Sequence, residues 1–113
     1  GIGTVGGGTF RVLRRNSEEI SRRAGCEIRM TAVADKDVAR AKSIVGDAAR
    51  VTGDALDVVN DPDIDIVVEL IGGYGVAREM VLKAIAAGKH VVTANKALLA
   101  LHGNEIFAAA RAK

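Results

Sequence analysis

The sequence contains very little of several residue types that mark particular classes of protein. It has one cysteine, Cys26, one proline and three aromatic residues among 113, and its formal net charge is only +2. A single cysteine excludes an internal disulfide and fits a reducing compartment. One cysteine and two separated histidines do not provide the ligand spacing of a zinc site, so no metal is predicted.

Features of nucleic-acid-binding and membrane proteins are also scarce. No basic patch interleaved with aromatic residues is present, so no nucleic-acid partner is predicted. No apolar run approaches the roughly 20 residues that a membrane-spanning helix needs. No charged segment followed by an apolar core opens the chain as a signal peptide would. The sequence therefore predicts a cytoplasmic globular protein without a membrane contact.

The sequence is rich in hydrophobic residues, at 49%, and in glycine, with 13 residues. Short β-branched runs alternate with longer amphipathic stretches, a pattern typical of βα units that build a parallel sheet. The predicted fold class is α/β: a Rossmann-like, doubly wound, mostly parallel sheet with helices on both faces. The predicted strands are residues 27–34, 49–52, 64–71 and 90–93. The predicted helices are residues 5–23, 38–45, 54–60, 76–87 and 104–113, with Asp37 capping the second and Gly25 and Gly46 ending the first two.

The chain opens on the pattern Gly1-x-Gly3-x-x-Gly6, directly before the first predicted helix. Glycines let the backbone approach a pyrophosphate closely, and the N-terminus of the following helix favours its negative charge. Asp35, after the next predicted strand, is placed to accept a hydrogen bond from an adenosine ribose. A glycine turn that only closes a strand–helix corner is the alternative, but the helix and the acid favour a dinucleotide site.

A second motif, residues 69–73, follows a nearly continuous apolar run that indicates a strand buried on both faces. Open α/β sheets bind ligands at the carboxyl ends of their strands. Gly72 and Gly73 either approach a cofactor there or only provide a turn with positive φ. Glu69 is either part of the site or a structural carboxylate.

A third motif, residues 91–96, follows the last predicted strand, so Lys96 is expected to project into the same crevice. A lysine there is able to hold a substrate carboxylate, contact the nicotinamide end of a cofactor, or transfer a proton. A solvated surface lysine after a strand is the alternative, and the pattern alone does not decide between them.

These motifs together resemble homoserine dehydrogenases. Residues 1–8 (GIGTVGGG), 63–73 (DIDIVVELIGG) and 91–98 (VVTANKAL) match that family in order and spacing, and the resemblance extends over essentially the whole chain. It implies an oxidoreductase that uses NAD or NADP to interconvert L-homoserine and L-aspartate 4-semialdehyde. That step lies on the pathway to threonine, methionine and isoleucine.

The resemblance also implies roles for individual residues. The phosphate-binding loop is followed by Asp35 and Lys36 where the adenosine ribose or its 2′-phosphate is read, and Thr93 and Lys96 lie beside the nicotinamide. Asp35 favours NAD and Lys36 favours NADP, so the choice between the two cofactors stays open. Lys96 is the predicted catalytic residue. The predicted cofactor-binding residues are Gly1, Gly3, Thr4, Val5, Gly6, Asp35, Lys36, Gly72, Gly73, Thr93 and Lys96.

Two parts of the family's pattern are not in the sequence. The glycine motif normally follows a first, central strand, and the family has a substrate and dimerisation domain after the cofactor domain. We therefore expect residues 1–113 to be a partial NAD(P)-binding domain that lacks its first strand and has no activity alone. The expected whole enzyme is a homo-oligomer, assembled through a domain outside this chain, that acts on a small-molecule substrate.

Two alternatives belong to different functional classes. The chain is alternatively the cofactor domain of another amino-acid dehydrogenase, which would share the glycine loop but need not share the sequence of residues 93–96. The second alternative is a non-catalytic module that senses a nucleotide. In that case Lys96 would be replaceable without loss of function.

Overall fold

The computed structural model describes residues 4–71, 75–93 and 95–112, with side chains from residue 7 onward. The chain divides into two compact units, Gly1–Gly53 and Asp54–Lys113. The first unit contains, in order, α1 (Thr4–Arg15), α2 (Ser17–Ala24), β1 (Ala32–Ala34), α3 (Val38–Val45) and β2 (Arg50–Thr52). The second contains α4 (Ala55–Val59), β3 (Ile66–Glu69), α5 (Gly75–Ala86), β4 (His90–Thr93) and α6 (Lys96–Arg111).

Each unit contains one pair of parallel strands joined through a helix. β1 pairs with β2, with Val33 opposite Val51. β3 pairs with β4, with Glu69 opposite Thr93 at the carboxyl ends. Parallel neighbours need a crossover connection, and α3 and α5 provide it in the two units. The predicted βα units and parallel pairing are therefore confirmed.

The core of the first unit joins α1, β1 and α3. Phe10, Val33, Ala41 and Val45 are buried together there. Arg14, one turn after Phe10, lies with its guanidinium 5.7 Å from the centre of the aromatic ring. Burying a side chain such as Phe10 contributes on the order of 1.5–3 kcal/mol, which explains why α1 turns its apolar stripe inward.

The core of the second unit lies between α5 and α6. Ala77, Val81 and Ile85 recur every fourth residue on α5 and pack with Leu98 and Ile106 of α6. Residues four apart share one helix face. A single stripe of α5 therefore forms most of this contact, and Leu98 and Ile106 fix α6 against it.

Side-chain caps begin several of the described helices, and glycines follow the ends of two of them. The predicted cap of α3 is confirmed, because the Asp37 carboxylate accepts a hydrogen bond from the Arg40 N–H at 3.1 Å. Asp54 and Asn95 begin α4 and α6 in the same way. Gly25 follows α2 in the left-handed region, with φ of 76°, and Gly46 follows α3 with φ of 58°.

The first predicted helix, residues 5–23, is instead two helices that meet at Asn16. Asn16 has a φ of −112° and a ψ of 24°, and residues of its type compete with helical backbone for hydrogen bonds. Helical bonds still run from the Asn16 N–H to Val12 and from the Ile20 N–H to Asn16. The break is therefore a local distortion of one amphipathic segment.

Two predicted strands differ from the structure in length or burial. Residues 27–31 lie outside β1, which has only three residues. The apolar run of β3 is not buried on both faces as predicted, because Ile66 and Val68 are 46% and 41% exposed while Val67 and Glu69 are buried. Within the described part of this unit, only one face of β3 is covered, so burial alternates with the period of two of a strand.

The last helix begins eight residues earlier than predicted, at Lys96 rather than at residue 104. Asn95 provides the cap, and Leu98 lies in the core with none of its surface exposed. Gly103 is buried inside the helix. Packing against α5 therefore outweighs the roughly 1 kcal/mol by which glycine disfavours a helix.

Candidate functional site

The predicted site residues fall into two groups, one in each unit. The first group contains the start of α1 with Asp35 and Lys36, and the second follows β3 and β4. Gly1, Gly3, Gly72 and Gly73 lie outside the described residues.

The first turn of α1 contains Thr4, Val5 and Gly6 of the predicted phosphate-binding loop. The first N–H groups of a helix have no partner within the helix, and the helix dipole is positive there. No acidic side chain lies in this turn. The start of α1 therefore has the donors and the potential that an anion such as a pyrophosphate would need.

Asp35 directly follows β1 and is held by the backbone on both sides. Its N–H donates to the Thr52 carbonyl at 3.0 Å, which continues the ladder between β1 and β2. Its Oδ1 accepts from the Asp37 N–H at 3.0 Å. This local turn orients the Asp35 carboxylate at the carboxyl end of the strand pair, where a ribose reader is expected, and Lys36 beside it is exposed.

Glu69 connects the ends of β3 and β4. The residue is 3% exposed. Its Oε1 accepts a hydrogen bond from the Thr93 hydroxyl at 2.6 Å, and its Oε2 accepts from the Ile71 N–H at 2.7 Å. One carboxylate therefore holds both the neighbouring strand and the first residues of the segment after β3.

Thr93 extends this network to α6. Its O–H donates to Glu69, and the oxygen of the same hydroxyl accepts from the Asn95 N–H at 3.0 Å. The Asn95 Oδ1 accepts from the Leu98 N–H at 2.9 Å and so caps α6. The end of β4 and the start of α6 are thus joined to the buried Glu69 by consecutive hydrogen bonds.

Lys96 is the first residue of α6, and its side chain is exposed. A cation near a helix N-terminus is unfavourable by about 0.3–1 kcal/mol, and no acidic residue in the first turn of α6 offsets it. The positive charge of Lys96 and the positive end of the helix dipole therefore add to the electrostatic potential at the N-terminus of α6. This arrangement would stabilise a bound anion or a developing negative charge, whereas it slightly destabilises the helix.

Sequence reasoning left the role of Glu69 open and did not single out Asn95. The structure shows that Glu69 is a buried carboxylate satisfied by two donors. The signal was available in the period of two along β3, because Glu69 shares the buried face with Val67 and a buried carboxylate requires partners. Its partner Thr93 could not be identified before the register with β4 was known.

An open groove in the first unit does not coincide with the predicted site. Arg29, Lys42 and Arg50 line it, together with residues that precede β1 and β2. It therefore lies at the amino ends of these strands, whereas Asp35 follows the carboxyl end of β1. Ligands of open α/β sheets bind at the carboxyl ends, so the groove is not the candidate cofactor site.

Two further features bear on the class of protein. Across the described residues, no group of three or more His, Cys, Asp or Glu is placed to hold a metal ion. No helix in the part of the chain that the structure describes is long and apolar enough to cross a membrane.

Parallel strands joined through helices, a glycine-rich helix N-terminus and an acid after β1 define a class, the Rossmann-like α/β domains that bind a dinucleotide. Residues 1–113 match the family model described as homoserine dehydrogenase, NAD binding domain. The chain belongs to this family. The resemblance seen in the sequence is confirmed, and the cofactor is NAD or NADP.

Individual relatives agree with the family match. The chain is 66% identical over 100 residues to a homoserine dehydrogenase of Methylobacillus glycogenes, covering 88% of this chain and 24% of that protein. It is 61% identical to one of Pseudomonas aeruginosa, covering 100% of this chain and 26% of that protein. The chain thus spans about a quarter of the length of these relatives.

A solved structure of a homoserine dehydrogenase from Thiobacillus denitrificans superimposes with a TM-score of 0.93 and 62% sequence identity. The match covers 99% of this chain and 26% of that chain. The predicted Rossmann-like α/β fold is therefore confirmed. The roles of the individual site residues stay predictions.

Proposed function

We propose that this chain is the NAD(P)-binding domain of an enzyme that interconverts L-homoserine and L-aspartate 4-semialdehyde. The match to the family over residues 1–113 carries the proposal. The proposed enzyme is a cytoplasmic oxidoreductase of threonine, methionine and isoleucine biosynthesis. A substrate and dimerisation domain outside this chain completes it, and the whole enzyme is a homo-oligomer.

The residues of the first unit bind the adenosine half of the cofactor in this proposal. The N–H groups at the start of α1 bind the pyrophosphate, and Gly1 and Gly3 allow its close approach. Asp35 accepts from the ribose hydroxyls, and Lys36 pairs with a 2′-phosphate when NADP is bound. The fixed turn of Asp35 supports this role, because a preorganised acceptor loses little entropy on binding.

The residues after β3 and β4 act at the nicotinamide end. Gly72 and Gly73 allow close approach there, and Thr93 shapes the adjoining backbone. The bound cofactor supplies or accepts the hydride at the carbon of the semialdehyde carbonyl. Lys96 stabilises negative charge on the oxygen of that carbonyl, or exchanges a proton with it, and its place at the N-terminus of α6 strengthens the effect.

Homoserine-dependent reduction of NAD⁺ or NADP⁺ by a full-length protein that carries this chain tests the proposal. We expect absorbance of the reduced cofactor to rise with L-homoserine and not with L-aspartate. A folded protein that binds the cofactor but does not oxidise homoserine would instead be another dehydrogenase or a nucleotide sensor.

The role of Lys36 gives a separate prediction. Lys36→Ala is expected to weaken NADPH binding roughly 10- to 100-fold, because a hydrogen bond to a charged group contributes about 1.5–3 kcal/mol. NADH binding should change much less, and titration calorimetry with both cofactors measures the difference. Lys42→Ala is a matched control, since Lys42 is an exposed lysine on α3 away from Asp35. Equal losses for the two cofactors would show that Lys36 does not contact the phosphate.

A further inference from the structure

Glu69 links two segments of the candidate site through one buried carboxylate. It is almost completely buried at the carboxyl end of β3, and both of its oxygens accept hydrogen bonds. One bond fixes the backbone after β3, and the other fixes the strand β4 through Thr93. Ile71 directly precedes the predicted Gly72 and Gly73 in the sequence, and Thr93 is itself a predicted nicotinamide-side residue.

Three consecutive hydrogen bonds link Glu69 to the first turn of α6. The Thr93 hydroxyl donates to Glu69 and accepts from the Asn95 N–H. Asn95 then caps α6 through the Leu98 N–H. Lys96 lies between the cap residue and the capped N–H, so its backbone position depends on this network.

We propose that Glu69 is a positioning residue that sets the place of Lys96 at the start of α6 through Thr93 and Asn95. The proposal rests on the proposed function, since it gives Glu69 its importance for turnover. Glu69 does not touch the reacting atoms. Its role is to keep the catalytic lysine and the end of β4 in one geometry before the substrate binds.

The network requires a carboxylate of this length. Glutamine has one acceptor oxygen and an NH₂ donor. If its oxygen accepts from the Ile71 N–H, its NH₂ points at the Thr93 oxygen, and the Thr93 proton loses its acceptor. Aspartate keeps both oxygens but is shorter by one methylene, so it reaches at most one of the two donors well.

The test uses Glu69→Gln in a full-length protein that carries this chain. We expect kcat to fall roughly 10- to 100-fold, the range that small misplacement of a catalytic group produces. The dissociation constant of the cofactor, measured separately, should change by less than about threefold, because residues of the first unit bind the adenosine half in the proposed function. This split between turnover and binding is not expected of a residue that only stabilises the fold.

A double-mutant cycle with Lys96→Ala tests whether Glu69 acts through Lys96. In the Lys96→Ala background, Glu69→Gln should lower the remaining kcat by less than about threefold, because the group that it positions is gone. Equal losses in both backgrounds would overturn the proposal. An unchanged kcat in a folded Glu69→Gln protein would overturn it as well.

Glu105→Gln is the matched control. Glu105 lies on α6 and forms an ion pair with Arg78 of α5, so the same chemical change removes a link between two elements of the same unit. It should alter stability slightly and leave kcat within about threefold of the original value. If Glu69→Gln does not fold, Glu69→Asp replaces it and is expected to show the same pattern with a smaller loss.

Hydrogen exchange separates a failure of this proposal from a failure of the proposed function. Glu69→Gln should accelerate exchange of the amides of Asn95 and Leu98 by about tenfold or more, whichever substrate the enzyme uses, because local openings limit exchange. Glu105→Gln should not accelerate exchange at Asn95. Unchanged exchange would overturn the positioning role, whereas absent homoserine oxidation with accelerated exchange would overturn only the proposed substrate.

Discussion

Replacing Lys96 with alanine is expected to lower homoserine-dependent turnover by roughly 10²- to 10⁴-fold, the range for a group that transfers a proton or stabilises charge in the transition state. The variant should be as stable as the original protein or up to about 1 kcal/mol more stable. The reason is that Lys96 places a cation at the N-terminus of α6, where the helix dipole disfavours it. Steady-state kinetics and urea denaturation of a full-length protein that carries this chain measure the two effects.

Lys83→Ala is the control for this prediction. Lys83 is an exposed lysine in the last turn of α5, where it pairs with Glu79 at 3.3 Å. Its removal should weaken the helix by about 0.3–0.5 kcal/mol and leave turnover unchanged. If Lys96→Ala retained full turnover, Lys96 would be a surface lysine with no catalytic role.

The second large effect is expected at Leu98. Leu98→Ala should lower the free energy of unfolding by about 2–5 kcal/mol, because it leaves a cavity in a packed core. Leu98 has no exposed surface and packs in the cluster between α5 and α6. Urea denaturation followed by far-UV circular dichroism measures the loss.

Leu101→Ala provides the comparison within the same helix. Leu101 lies three residues further along α6 and is 61% exposed, so the same substitution removes little buried surface. Its expected effect is within about 0.5 kcal/mol. Similar losses at the two positions would mean that α6 does not pack on α5 as described.

These predictions distinguish residues at the start of α6 that stabilise the helix from the residue that is proposed to act in catalysis. Leu98 and the Asn95 cap stabilise the helix, whereas Lys96 between them opposes the helix dipole. A lysine that destabilises the helix and adds to a positive potential is consistent with a role in binding an anion or stabilising negative charge. Lys96→Ala is expected to lower turnover without lowering stability, whereas Leu98→Ala is expected to lower stability. The two effects can therefore be measured separately.

Periodicity and turn chemistry in the sequence predicted much of the secondary structure. The alternating pattern predicted β4 with its observed bounds, His90–Thr93, and the predicted α5 differs by one residue at each end. Asp37 was recognisable as a cap, and Gly25 and Gly46 as helix ends. These features depend on interactions over a few residues, which a local pattern encodes.

The family was also recognisable from the sequence alone, because three motifs occur in a fixed order. That order identified the Rossmann-like class, the cofactor type and the candidate lysine. It did not show that Lys96 begins a helix, since Gly103 interrupts the local helical pattern. Only the packing of Leu98 and Ile106 on α5 extends the helix from Lys96 to Arg111.

The tertiary structure alone decided how the candidate residues are held. Glu69 and Thr93 are 24 residues apart, and their contact exists because β3 and β4 pair in one parallel register. A shift of one residue would turn the Glu69 side chain or its partner to the opposite face. The sequence alone therefore determined which elements and motifs are present. Strand register and helix packing determined which side chains meet. The reason is that these contacts join residues far apart in the chain, which a local sequence pattern does not relate to one another.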